Sequence, residues 1–366
     1  MGSEMCIRDR DENKYDPVDP QLAAKMHKAV AVILFKLEGQ LIRRHPEYGM
    51  QGRLLLDKVD FPRGVITLDG KEYPMLDTNF PTIDPEDPYR LSSAEEALVE
   101  NTLASFRHSA RLRRHIDYIY THGGMYKVSN NNLLYHGCIP MTAEGEFDTL
   151  ELNHGHFSGK ALLDHLDQRV RQAYYTGDQS SVDLMWYLWC GAKSPVFGKD
   201  RMTTFERCFI GDKSLESEPM NPYYHCYEDP AQCRKILEEF GLDPEHSHIV
   251  NGHVPVKNGE NPVKAGGRLF VIDGGISKAY QSKTGIAGYT LIFNSHNIEL
   301  AEHMPFQPAD DSHTLAEMTS SVHIVERMPR RLTVADTDAG SHFREKIEDL
   351  EALLSLYREG LLSERF

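Results

Sequence analysis

The six cysteines of this chain, Cys6, Cys138, Cys190, Cys208, Cys226 and Cys233, include no Cys-x-x-Cys pair and no regular framework. That argues against a disulfide scaffold or a zinc knuckle and for reduced thiols in a cytoplasmic protein. Long apolar runs are missing as well. The stretch Ala29 to Leu37 is short and broken by Lys36, well under the roughly 18 to 20 residues that cross a bilayer, so no membrane partner is expected. Positive charge is scarce: 40 Lys and Arg face 55 Asp and Glu, for a formal charge of −15, which argues against a nucleic-acid backbone as the main partner. An acidic chain that binds phosphates must gather its cations locally. No internal repeat is evident, and 366 residues suffice for one large domain or two smaller ones.

Residues 1–19 are almost entirely polar, with neither a signal-peptide core nor any periodicity, and are expected to be a disordered tail. Within them Ser3-Glu4-Met5-Cys6-Ile7-Arg8-Asp9-Arg10 resembles a translated sequencing adapter, in which case the natural protein begins further upstream. Residues 20–122 read as a helical region with a small hairpin. Apolar residues recur at helical spacing from Pro20 to about Arg44, and Asp69-Gly70 closes a hairpin. Ser92 and Ser93, followed three residues later by Glu95 and Glu96, open one long helix to about Tyr120. Its basic cluster Arg107, Arg111, Arg113, Arg114 and His115 reads as a solvated face. Residues 123–310 alternate strands and helices, with strands near Tyr126, Leu133, Ile249, Leu269 and Tyr289 and helices near 159–175, 182–188 and 230–240. Residues 311–366 supply a late strand and a helix from Phe343 to Tyr357, whose apolar face is expected to dock on the body or on a neighbouring subunit.

Two apolar strands end alike. His136 lies in Leu-Leu-Tyr-His-Gly-Cys-Ile-Pro, and His253 in Ile-Val-Asn-Gly-His-Val-Pro-Val-Lys. Each strand is broken by glycine and followed by proline within four residues, so both histidines sit at strand-end turns that can share one divalent metal. A metal held partly by imidazole makes its bound water nucleophilic near neutral pH, and the expected completion is a set of carboxylates and an asparagine holding a second metal roughly 3.5 to 4 Å away.

Around these turns the chain resembles a known family, the class 3 fructose-1,6-bisphosphatases. The resemblance is carried by Leu134 to Pro140, Trp186 to Gly191, Ser194-Pro195-Val196-Phe197-Gly198-Lys199, Met202 to Arg207, Asn221-Pro222-Tyr223-Tyr224, Asn251 to Lys257, Val271-Ile272-Asp273-Gly274-Gly275, Ser277 to Gln281 and Thr284 to Thr290. It runs with gaps from about Lys14 to the end. The family is similar to calcineurin-like metallophosphoesterases, which implies an α+β fold: a β-sandwich flanked by helices, with a helical insertion and a C-terminal helix. It implies a dinuclear site with Mn as cofactor, His136 and His253 on the same metal, and hydrolysis of the 1-phosphate of fructose 1,6-bisphosphate by a metal-bound hydroxide, in gluconeogenesis. Lys199 or Arg201 would be the phosphate-binding cation. Lys257, Lys264 and Lys278 could hold the distal phosphate, and Tyr280 could close over the metals.

The resemblance is incomplete at the front. Asp-x-His, Gly-Asp-x-x-Asp-Arg and Gly-Asn-His-Asp/Glu, which such enzymes carry early, have no counterpart in proper context. Asp311-Ser312-His313 lies in a late polar loop, Asn153-His154 lacks the preceding glycine, and Gly177-Asp178 and Gly211-Asp212 lack the Asp-Arg continuation. His154-Gly155-His156 and His246-Ser247-His248 read as solvated loop histidines. The fold is therefore expected to be incomplete at its N-terminus, and the chain to be a fragment with little turnover of its own. Two other readings stand beside this one. One is a phosphohydrolase for phosphoprotein or dinucleotide polyphosphate; the other is a non-catalytic half whose helices serve assembly as a homo-oligomer.

Overall fold

The computed structural model describes residues 19–153, 155–257, 259–275, 284–285, 288–304 and 320–363. The expected tail, apart from Asp19, lies outside them, as do Asp311-Ser312-His313, Lys278 and Tyr280. The chain divides into two compact units, each discontinuous in sequence: residues up to Gly124 together with Phe147–Asn221, and Met125–Glu146 together with residues from Pro222 onward. Residues 147–221 thus group with the helical region rather than with the sheets.

In the first unit, Pro20 starts the Pro20–Arg44 helix at a position that needs no N–H donor, and the Asp19 carboxylate caps it by accepting from the Gln21 N–H. Its inner face puts Ala31, Val32 and Phe35 into a core with Leu56, Ile66, Phe205 and Phe209. Lys36 lies on that same face. Its stem is fully buried, and its ammonium donates to Thr82 O at 2.6 Å and Glu95 Oε2 at 2.8 Å. The hairpin forms as expected: Val65–Leu68 pairs with Lys71–Pro74 through Asp69 and Gly70, both at positive φ. The long second helix does not. It is two helices, Ser93–His108 with a Ser92–Glu95 capping box and Ala110–His122, because Ser109 takes an extended backbone and turns its side chain to the Leu112 N–H. The basic cluster on these helices is exposed, as anticipated. Gly177 and Asp178 prove to be helix punctuation, a left-handed C-cap for Gly159–Thr176 and an N-cap for Gln179–Cys190.

The second unit holds a five-stranded sheet in the order Tyr126–Ser129, Asn132–Tyr135, His248–Asn251, Leu269–Val271, Val263–Lys264. Its three inner strands run parallel. Gly288–Phe293, Asn297–His303 and Ser320–Arg327 form a separate antiparallel sheet. Val250 and Phe270 of the first sheet and Ile298 of the second share one buried cluster with Leu134, Ile272, Leu291 and Phe293, so the two sheets have a common core. The architecture is α+β. His248 corrects the reading of His246-Ser247-His248 as solvated: it is buried at the start of a central strand, its Nε2 2.7 Å from Glu326 Oε2. Its neighbour His246 is exposed against Asp243. The Asp338–Arg358 helix buries only Gly340 among the described residues. Phe343, Ile347, Leu350, Leu354 and Tyr357 are exposed, so the expected docking of its apolar face on the body is not seen there.

Candidate functional site

The site grows from strand register. Asn132–Tyr135 and His248–Asn251 are parallel neighbours paired Leu133 to Ile249 and Leu134 to Val250, so they reach the same sheet edge together. Leu269–Val271 runs parallel on the other side, paired Phe270 to Val250 and Val271 to Asn251. Residues leaving these strands therefore collect at one carboxyl edge, the end at which open parallel sheets present ligands. Three segments leave there: His136-Gly137, Gly252-His253 and Asp273-Gly274. Backbone hydrogen bonds fasten them, from Gly252 N–H to His136 O at 2.9 Å and from Val256 N–H to Asp273 O at 2.7 Å.

Local backbone strain turns His253 into place. Its φ is +67°, the left-handed region that most side chains avoid. Its Nδ1 then lies 3.0 Å from His136 Nε2, with the rings edge-on and their centroids 4.8 Å apart. Partial burial holds His136 below its ordinary pKa, the charge of His253 adds to this, and the Asp273 carboxylate opposes both. A neutral imidazole is the form that binds a metal.

The nitrogen separation itself tests whether a cation fits. Metal–imidazole bonds of roughly 2.1 Å at right angles to one another place two nitrogens about 3.0 Å apart. His136 and His253 match that spacing, with Asp273 supplying negative charge beside them. The pair fits a borderline divalent ion. Among the described residues no group of three or more His, Cys, Asp or Glu side chains stands together to hold a metal, so Asp273 does not complete a three-ligand set with the two histidines, and neither ion of a dinuclear centre has a full ligand set there.

The other candidates fall in different places. Lys257, on the loop after His253, is exposed, and its backbone N–H bonds Glu260. Lys264 sits level with Leu269 and Ile249, two residues back from the edge that carries the histidines. Its ammonium is 2.7 Å from Glu228. Lys199 and Arg201 belong to the other unit, where Lys199 pairs with Glu218 at 2.6 Å and Arg201 with Asp200 at 2.8 Å. Lys278 and Tyr280 lie outside the described residues.

Sequence reasoning passed over three residues behind the histidines. Asn251 is 3% exposed, and its Nδ2 donates to Gly137 O at 3.2 Å and to Tyr223 Oη at 2.8 Å. Tyr223 is fully buried, with its Oη 2.7 Å from Tyr135 Oη. Asn-Gly-His and Asn-Pro-Tyr-Tyr were visible as runs, but a buried hydrogen-bond chain between segments 28 residues apart leaves no periodic mark.

A family described as Firmicute fructose-1,6-bisphosphatase matches residues 3–359, beginning ahead of Lys14. Three similar proteins are each named fructose-1,6-bisphosphatase class 3. That of Clostridium tetani is 50% identical over 95% of this chain and 54% of its own length. That of Bacteroides fragilis is 48% identical over 97% and 54%, and that of Clostridium acetobutylicum 48% over 96% and 54%. The chain spans about half the length of the curated relatives it matches. No solved structure matches it.

Proposed function

The chain belongs to the Firmicute fructose-1,6-bisphosphatase family, and from that membership we propose that the whole protein removes the 1-phosphate of fructose 1,6-bisphosphate, a cytoplasmic step of gluconeogenesis. In this reading His136 and His253 hold one divalent cation, Mn, of a dinuclear centre, and the two sheets with a common core form part of a calcineurin-like sandwich. The observation that supports it is the 3.0 Å approach of two imidazole nitrogens at the shared end of two parallel strands.

When bound, the metal supplies Lewis-acid activation of the attacking water and of the phosphoryl group. The chain's own residues do the rest. His136 and His253 present their ring nitrogens to the ion. In this reading Asp273 offsets cationic charge at the same edge, and exposed Lys257 meets the far phosphate. Lys264, Lys199 and Arg201 each already have a carboxylate partner, so recruiting any of them to phosphate means exchanging that partner. With two imidazoles and one nearby carboxylate in hand, the chain assayed alone is proposed to turn over little.

Mn²⁺ titration followed by the EPR signal of the free ion tests the metal site. Binding should weaken at least tenfold in His136→Ala and in His253→Ala, and binding unchanged in both sinks the assignment. Phosphate release should favour fructose 1,6-bisphosphate over a phosphopeptide or a dinucleotide polyphosphate. The opposite preference overturns the substrate, and rapid turnover by the chain alone overturns only the last clause.

A further inference from the structure

Two glycine turns from different parts of the chain must be held to within a few tenths of an ångström if their histidines are to share one ion, and the Gly252 N–H bond to the His136 carbonyl supplies one such tie. Besides the contact between the two imidazoles, a buried side chain bonds across from one turn to the other. Asn251, immediately before Gly252-His253, donates from Nδ2 to the carbonyl of Gly137, immediately after His136. Since that carbonyl can only accept, the amide orientation is set: nitrogen faces Gly137 and Tyr223. Tyr223 Oη accepts the second Asn251 N–H and is left to donate its own proton to Tyr135 Oη, 2.7 Å away. The network ends inside the fold, since Tyr223 is wholly buried and Tyr135 precedes His136 on its strand. Asn251 Oδ1 has no partner among the described residues, so the amide acts through its nitrogen.

We propose that Asn251, braced by Tyr223, is the positioning residue of the histidine pair: it sets the separation of the two imidazoles by tying the His136-Gly137 turn to the Gly252-His253 turn. The inference rests on the metal-binding reading for its consequence, though the tie itself does not. Tyr223 and Asn251 act through the turns that carry the two imidazoles, as outer-shell partners of metal ligands generally act. Pairing is essential to the argument. With Tyr223 in place, the second Asn251 N–H also has a partner, and the orientation set by the Gly137 carbonyl is held at both N–H groups.

The experiment uses the full chain with Asn251→Leu, Tyr223→Phe and the double variant. Mn²⁺ affinity should fall about 10- to 100-fold in Asn251→Leu and a few-fold in Tyr223→Phe. The double variant should bind no more weakly than Asn251→Leu, because the tyrosine acts only through the asparagine. Imidazole ¹⁵N spectra of the metal-free protein are the second readout, reporting the hydrogen bond between the two rings. That bond should be present in the wild type, weakened in Tyr223→Phe and lost in Asn251→Leu. Tyr223→Phe keeps the experiment readable if Asn251→Leu does not fold. Wild-type spectra and affinity in Tyr223→Phe, or additive losses in the double variant, overturn the inference. If the wild type binds no Mn²⁺, the metal reading falls, and the ring spectra still decide the positioning role: an unchanged ring-to-ring hydrogen bond in the variants overturns it.

Discussion

The core of the helical unit and the histidine-bearing edge of the sheet unit treat buried polarity in opposite ways. The helical unit buries charge. Lys36 meets Glu95, and Arg53 grips Glu206 with both ends of its guanidinium, while also bonding Met202 O. Asp183 takes bonds from Arg44, His45 and Gln179. The sheet unit, behind its histidines, buries neutral groups: Tyr135, Tyr223 and Asn251, each of which keeps one protonation state. Removing one member of a buried ion pair leaves a bare charge in low dielectric, whereas removing a hydroxyl leaves only a lost hydrogen bond. The difference teaches where each unit can change. The helical unit pairs these buried charges with one another, and the sheet unit keeps the groups behind its histidine pair neutral.

The sharpest way to break this comparison is at Lys36. Lys36→Ala strands Glu95, whose carboxyl burial pushes up but Lys36 and the Ser92 N–H hold below its ordinary value. Denaturant unfolding should show a loss of about 3–5 kcal/mol, largely recovered in Lys36→Met/Glu95→Leu. A loss below 1 kcal/mol would mean the pair is not structural. In the sheet unit, Ile298→Ala opens a cavity in the core common to both sheets and should cost about 2–5 kcal/mol by the same measurement.

Glu38 supplies a pH test confined to the helical unit. It lines a cavity of about 30 Å³ with Phe35, Arg53, Trp186 and Phe205. Burial raises its carboxyl to about 7, against the attraction of Arg53 and with repulsion from Glu206 adding a little. An acid whose folded pKa lies above its unfolded value binds more protons when folded. Its contribution is therefore full below the unfolded value near 4.5 and is lost as pH rises to about 7. Stability should fall by on the order of 2 kcal/mol across that window, and Glu38→Gln should flatten the profile there. An unchanged slope in the variant refutes the assignment.

The smallest effect tests strain at the candidate site. With His253 at φ +67°, His253→Gly should be more stable than His253→Ala by roughly 1 kcal/mol, while both lose metal binding. Equal stability would show that the turn relaxes.

Much of the local structure was legible because it is written in nearby residues. Asp19-Pro20 starts a helix, Ser92 and Glu95 cap one, Asp69-Gly70 turns a hairpin, and Gly241 ends Pro230–Glu239 in the left-handed region. The break at Ser109 was missed because the flanking helices continue one apolar pattern and the serine's preference for capping leaves no gap in it. His248 was misread for the complementary reason: its partner Glu326 is 78 residues away, and no local rule pairs them.

The sequence by itself determined that a histidine stands at each of two glycine-broken strand ends, and through its motifs the family. Tertiary structure alone decided that those ends coincide. The in-register pairing of Leu133 with Ile249 is what brings His136 and His253 to 3.0 Å. It decided too which cations are committed to carboxylates, and that Asn251 and Tyr223 stand behind the pair. The physical reason is the same in each case: caps and turns are settled by neighbours along the chain, while register, burial and long-range hydrogen bonds depend on what folding places across it.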